Sequence, residues 1–194
     1  MPSPDPSSAA RRPRFVLAVV ASRDGFIARA RNHPPAAWAS PEEQTLFLAE
    51  VEAADWAIMG RNTHEAADKP ERRRIVFSSA AGAGEWRRPT QLWLDPGPLT
   101  PAALAARVAP VRPLRRGLIL GGTAVHDWFH DAGAIDRISL TIEPVAFGNG
   151  LPMLSAQTER DPEAAWRAAG YRTVAERALN DRGTRLLTLA PERR

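Results

Sequence analysis

Apolar residues fall in short, dense runs rather than in strict alternation. "RFVLAVVAS" (14–22) carries the signature of a strand buried on both faces and "WAIMG" (56–60) reads as another buried strand, while "RRRIVFSS" (72–79), "TQLWLD" (90–95), "GLILGG" (117–122) and "DRISLTIEPV" (136–145) read as further strands. Stretches with helical spacing lie between them. In "SPEEQTLFLAEVEAAD" (40–55), Leu46, Phe47, Val51 and Ala54 recur at helical intervals, Ser40 is placed as N-cap, Pro41 sits at N1, and Glu43 at N3 completes a capping box. "RNTHEAA" (61–67), "LTPAALAARVAP" (99–110) and "TAVHDWFHDAG" (123–133) read as further helices, the last with Thr123 as N-cap and Gly133 just past its end. "IARARNHPPAAWA" (27–39) and "AGAGEW" (81–86) read as loops, and "TVAERALN" and "TRLLTLAP" as a closing hairpin around Asn180-Asp181-Arg182-Gly183.

Strands that alternate with helices predict an α/β fold with a mostly parallel central sheet and crossover helices, closed by an antiparallel C-terminal hairpin. The Pro/Ser-rich residues 1–13 read as a disordered tail, and residues 14–194 as one domain. In open sheets of this kind ligands bind beyond the carboxyl ends of the strands. Three such ends carry small or polar residues: Gly60-Arg61-Asn62-Thr63, Ser78-Ser79 and Gly121-Gly122-Thr123. Two of them lead into a helix, whose unpaired N–H groups suit a phosphate, and glycine allows close approach of a ligand to the backbone. Neither the Walker phosphate loop nor the six-residue glycine fingerprint of dinucleotide folds is present.

The composition narrows the chemistry. The chain has 194 residues and no cysteine, which removes disulfides, zinc–thiolate sites and cysteine nucleophiles. No apolar run is long enough to span a bilayer and no signal peptide is evident, so a cytoplasmic, membrane-free protein is expected. The net charge is +4, and since Lys69 is the only lysine the positive charge is nearly all arginine. Arginine suits a phosphorylated small molecule. The basic stretches "ERRR", "EWRR" and "RPLRR" lack the aromatic company of a nucleic-acid surface, so no nucleic-acid partner is expected. His126 and His130 share a helix face near Asp127 and Asp131, but no third ligand with matching spacing accompanies them, and no metal is assigned.

Taken in order, "FVLAVVASRDGFIA", "WASPEEQTLF", "AIMGRNTHEA", "RRRIVFSS", "LILGGTAVHDWF" and "LTIEPVAFGNGLPM" resemble the dihydrofolate reductase superfamily over about Phe15 to Leu154. "IEPVAFGNGLPM", "RDGFIA" and "HDAGAIDRISLTIEP" are most similar to its riboflavin-biosynthesis reductase branch. The resemblance implies a three-layer dihydrofolate-reductase-like fold, a homodimer, and NADPH as cofactor. It places Arg61 and Thr63 at the cofactor phosphates with Gly60 beside them, and Ser78 and Ser79 near the 2′-phosphate. Gly121, Gly122, Thr123 and Ala124 would lie along the dinucleotide, with Ala21, Gly25 and Ile27 over the nicotinamide. It further implies Glu43 as catalytic acid, with Trp38, Phe47 and Asp68 on the substrate side.

Two departures leave the substrate open. Leu120 stands where the riboflavin-type enzymes commonly carry Glu before the double glycine, and Lys69 separates Asp68 from Pro70. A 5-amino-6-(5-phosphoribosylamino)uracil reductase-like activity, a dihydrofolate or pterin reductase, and an NADPH-binding protein without turnover all remain compatible with the residues. Glu43 itself has two readings: a proton donor in a cleft, or the second half of a capping box.

Overall fold

The computed structural model of the chain describes residues 12–31 and 33–192. The tail expected over residues 1–13 falls outside them except at its last two positions. In chain order the elements are β1 (Arg14–Ser22), β2 (Phe26–Ala28), α1 (Pro41–Ala53), β3 (Trp56–Gly60), α2 (Arg61–Ala66), β4 (Arg74–Phe77), β5 (Glu85–Arg88) and β6 (Gln91–Leu94). They continue with α3 (Pro101–Val108), β7 (Arg116–Gly121), α4 (Thr123–Asp131), β8 (Ile135–Glu143), β9 (Leu151–Pro152), α5 (Pro162–Ala168), β10 (Tyr171–Ala178) and β11 (Arg185–Pro191).

Nine strands form one sheet in the order β10-β11-β8-β1-β7-β3-β4-β6-β5. The central pairs from β8 through β6 are parallel, and β11 and β10 close one edge antiparallel, as the sequence predicts. The other edge differs from expectation. Part of the stretch read as a loop is strand β5, antiparallel to β6. Its residues "EWRR" are mostly exposed, so no buried face marks them as a strand. The pair β2–β9 is too short to carry a pattern, and forms a separate two-stranded sheet. Helix α5 is also an addition: Asp161 caps it through a hydrogen bond from the Ala164 N–H, Pro162 sits in its first turn, and its own Trp166 is buried.

The main core lies on one face of the sheet. Phe15, Leu17 and Val19 of β1, Trp56 and Ile58 of β3, and Ile75 and Phe77 of β4 meet Leu104 and Val108 of α3 and Val125 and Phe129 of α4. Gly117 of β7 makes room for the Phe15 ring, whose Cδ1 lies 2.6 Å from where a Cβ would stand. The opposite face is thinner. There Val16, Ala54 and Leu118 form a small cluster with Ala18, Val51 and Leu120, under α1. Helices on both faces make three layers, and the incomplete cover on the α1 face leaves the space described next.

Candidate active site

Between α1 and α2 lies a cleft of ≈ 700 Å³. Ala57 and Met59 of β3, Ala18 and Val20 of β1, and Leu120 of β7 form its floor. These residues point away from the main core because side chains alternate along a strand. Glu43, Phe47 and Val51 of α1 form one wall, and Asn62, Thr63 and Ala66 of α2 another. Gly122 and His126 close the end beyond β7. The surroundings are mainly apolar with a few polar groups, the usual character of a small-molecule site.

Glu43 is the carboxyl group on this cleft with the most altered chemistry. The predicted capping box forms only in part. Ser40 Oγ accepts from the Glu43 N–H at 3.3 Å, but the Ser40 N–H donates to Glu143 Oε1 at 2.7 Å instead of to Glu43. The Glu43 carboxyl accepts no hydrogen bond from the described residues and lines the cleft, although the residue is only 8% exposed. Burial, and secondarily the nearby Glu143 carboxylate, push its pKa up to about 7. A carboxyl group poised there holds a proton that it can give up near neutral pH.

The three strand ends singled out in the sequence share one end of the sheet. Gly60 pairs with Phe77, the residue before Ser78, and Met59 pairs with Gly121. A Cβ on Gly60 would lie 3.6 Å from Val125 and 3.9 Å from the Gly122 N–H nitrogen, so the first and third junctions adjoin. Gly60 and Gly122 are the N-caps of α2 and α4, and neither helix start has a side-chain cap. The expected cap, Thr123, is instead the first helical residue. Its hydroxyl donates to the Pro152 carbonyl at 2.6 Å, because β9 runs alongside. Arg61 is exposed and only loosely opposed by Glu65 at 3.9 Å. Ser78 is buried and precedes a short turn, Ser79–Ala81, without a side-chain capping bond, while Ser79 and Ala124 are exposed. Helix-start N–H groups without a side-chain cap, an arginine and glycines at one end of the sheet fit an anionic dinucleotide.

His126 was visible in the sequence only as half of a histidine pair. The structure separates the two. His126 Nδ1 lies 2.8 Å from the Met153 carbonyl, and His130 Nδ1 lies 3.4 Å from the Tyr171 hydroxyl. A carbonyl only accepts, so His126 carries its proton on Nδ1, and Nε2 is a buried lone pair without a partner among the described residues. Burial, opposed by the Met153 contact, lowers its pKa to about 4, which keeps the ring neutral at physiological pH. Asp127 is occupied by the Ser155 N–H and hydroxyl. No group of three or more potential metal ligands occurs among the described residues.

Cations gather at the outer mouth. Arg31, Lys69 and Arg72 to Arg74 reach the cleft. Arg72 pairs with Glu52 at 2.7 Å, and Arg73 Nε donates to the Asp55 carbonyl at 2.7 Å. Arg74 is buried, donating to the Ala67 carbonyl at 2.7 Å and to His64 Nδ1 at 3.1 Å. Arginine has no acceptor, so His64 Nδ1 is the unprotonated nitrogen.

Of the residues implied by resemblance, Glu43, Phe47, Ile27, Thr63 and Gly122 line the cleft. Gly60 and Gly121 lie at its strand-end margin. Others are placed elsewhere. The Ala21 side chain is fully buried in the main core. Gly25, at φ +87°, packs against the Arg160 carbonyl and the Gln157 amide. Trp38 does not itself line the cleft; it packs against Phe147, with ring centres 4.9 Å apart, and against His33, which does. Asp68 is held in a two-pronged pair with Arg88, both contacts 2.7 Å, and does not line the cleft. Glu143 was not singled out by the sequence, which shows only a carboxylate ending a long strand.

No protein-family model matches the chain, and no curated protein matches it. Solved structures do. A protein assigned to riboflavin biosynthesis from Shewanella sp. PV-4 superposes with a TM-score of 0.67 at 20% identity, over 93% of this chain and 99% of that one. The diaminohydroxyphosphoribosylaminopyrimidine deaminase/5-amino-6-(5-phosphoribosylamino)uracil reductase of Thermotoga maritima gives 0.66 at 15% identity, over 93% of this chain and 57% of that one. Dihydrofolate reductase from Enterococcus faecalis, complexed with NADP(H) and RAB-propyl, gives 0.61 at 17% identity, over 94% and 98%. At these identities the likeness establishes the fold, and the chain has the dihydrofolate-reductase-like fold.

Proposed function

We propose that the protein is an NADPH-dependent reductase of the riboflavin-biosynthesis type that reduces a C=N bond in a nitrogen heterocycle or a sugar-derived imine. The observation that carries this reading is Glu43: a buried carboxyl group, released from helix capping, on the wall of a cleft that opens onto the strand-end shelf. Bound NADPH would supply the hydride. Gly60, Arg61, Ser78, Ser79 and the start of α4 would hold its phosphates, and the apolar floor would exclude water from the reacting face. Glu43 would hold the substrate ring by hydrogen bond and deliver the proton that complements the hydride. Arg31 and Lys69, which line the cleft without an ion pair among the described residues, support an anionic, phosphorylated arm on the substrate.

The apolar Leu120 on the floor favours a second reading within the same chemistry, a pterin-like substrate. A pterin ring contacts an apolar floor without needing a further carboxylate there. Among the described residues no helix is long and apolar enough to cross a membrane, and a cytoplasmic setting belongs to this proposal. A homodimer also belongs to it. The outward-facing edge strand β10, with Val174 47% exposed, is one surface it would use, and sedimentation of the full chain tests it.

Incubation with NADPH and a panel of ribosylaminopyrimidine, dihydrofolate and pterin substrates, followed by loss of reduced-nicotinamide absorbance, tests the reaction. Binding of NADPH without oxidation across the panel would mark a binding protein. Absence of NADPH binding would refute the proposal. Arg61→Ala is expected to raise the NADPH Kd by roughly tenfold or more, the loss of one charge-assisted hydrogen bond, with little change in folding because Arg61 is exposed. An unchanged Kd by fluorescence titration would remove Arg61 from the site.

A further inference from the structure

The first turn of α1 is fastened to a distant part of the chain. Glu143, the last residue of β8, is 3% exposed. Its Oε1 accepts from the Ser40 N–H at 2.7 Å, and its Oε2 accepts from the Thr184 hydroxyl at 2.7 Å. Thr184 lies in the turn between β10 and β11. Asn180 in the same turn donates to Thr184 Oγ1 at 3.0 Å and to Glu42 Oε2 at 3.1 Å. Arg182 adds an ion pair to Glu42 at 2.8 Å. No cation pairs with Glu143 among the described residues.

A helix N-terminus needs an acceptor for the N-cap amide, and a capping box would take it from the residue at N3. Here that residue is Glu43. With Glu143 in the role, Glu43 has no reason to fold back along the helix, and its carboxyl stays directed at the cleft. A neutral acceptor would satisfy the same amide. A buried carboxylate additionally sets a negative charge beside Glu43, which makes loss of the Glu43 proton harder.

We propose that Glu143 is a positioning residue for Glu43: it takes the N-cap amide of α1 in place of Glu43, sets its own charge beside the Glu43 carboxyl, and through Thr184 ties that helix start to the C-terminal hairpin. This rests on the reading of Glu43 as the proton-holding group of the cleft. The cleft that Glu43 lines also carries Arg31, His33, Glu52, Asp55 and Glu71, with Glu52 paired to Arg72 and Asp55 to Arg112. Glu42 is turned to Arg182, His126 on α4 is neutral, and Lys69 with Arg72 to Arg74 lies at the mouth.

The test uses the full chain labelled with carboxyl-13C glutamate, with the Glu43 resonance assigned by its loss in Glu43→Gln. Glu143→Gln keeps an acceptor for Ser40 and a donor for Thr184 but removes the charge. It is expected to lower the titration midpoint of Glu43 by on the order of one pH unit. The alkaline limb of the kcat profile should move with it, while the NADPH Kd stays constant. A purely structural role for Glu143 would leave the Glu43 midpoint where it is, and that result overturns the proposal. The midpoint shift is read without turnover. A shift in a protein inactive on every substrate therefore supports the positioning role and counts against the reductase reading alone. Should Glu143→Gln fail to fold, Thr184→Val tests the tie. It is expected to speed amide exchange at Glu43 and Gln44, and unchanged exchange there would refute it.

Discussion

Glu43→Gln is expected to reduce kcat by roughly 10²- to 10⁴-fold, the usual worth of a positioned proton donor, with little change in NADPH affinity. Glutamine keeps the shape and the hydrogen-bonding reach of the side chain but has no proton to give. In the wild type, kcat should fall as pH rises through about 7, where Glu43 loses its proton. The variant should show no such limb. A Glu43→Gln protein that retains full turnover would return Glu43 to the role of a helix-start residue.

The same substitution should act oppositely on stability. Glu43 binds its proton more tightly in the folded state, with a pKa of about 7, than in the unfolded chain, near 4.5. A raised carboxyl pKa contributes stability that is fully present below the unfolded value and is lost as pH rises through the folded value. Between those limits the loss amounts to about 3 kcal/mol. Glutamine is neutral throughout, so Glu43→Gln should be more stable than the wild type in urea unfolding at pH above 8, and the advantage should vanish in acid. A variant less stable than the wild type at alkaline pH would mean that the carboxylate is not desolvated. Gain of stability with loss of turnover is the expected mark of a strained functional group.

The outline of the fold was legible because buried parallel strands advertise themselves. Residues 14–22, 56–60 and 117–122 carry dense apolar runs, since one face meets the main core and the other meets α1 or the apolar cleft floor. Strand β5 was hidden for the converse reason. It sits at an edge with most side chains in solvent, and only its hydrogen bonds to β6 define it. Within the site, strand-end glycines could be read locally, because a ligand shelf and a tight turn use the same residue. The freedom of Glu43 could not. Ser40 and Glu43 satisfy a local rule perfectly, and the group that overrides it lies 103 residues beyond Ser40, brought near by the pairing of β8 with β1. Likewise Thr123 and His126 follow helix-local rules in sequence, yet both are claimed by carbonyls around β9, at Pro152 and Met153.

The double glycine should divide into a structural and a functional half. Gly121 stands at φ +98°, a backbone conformation that side-chain-bearing residues rarely adopt. A Cβ there would lie 2.7 Å from His126 Nε2 and 3.3 Å from Cε1. The ring cannot withdraw, because it is 1% exposed and anchored to Met153 through Nδ1. Gly121→Ala thus combines backbone strain of about 1–3 kcal/mol with overpacking of a similar size, a total on the order of 2–6 kcal/mol. Against a typical domain stability of about 5–15 kcal/mol that is a large loss, visible as a marked drop in the urea midpoint. Adding His126→Ala should recover the overpacking part and leave the backbone part, so the two changes should be non-additive. Gly122 is the opposite case. At φ −78° an alanine is unstrained, and nothing lies within 4 Å of its Cβ position, which opens on the cleft. Gly122→Ala should therefore fold normally but raise the NADPH Kd by putting a methyl group where the dinucleotide approaches the backbone. If Gly122→Ala binds NADPH as well as the wild type, the start of α4 is not part of the cofactor shelf, and the double glycine serves only the turn.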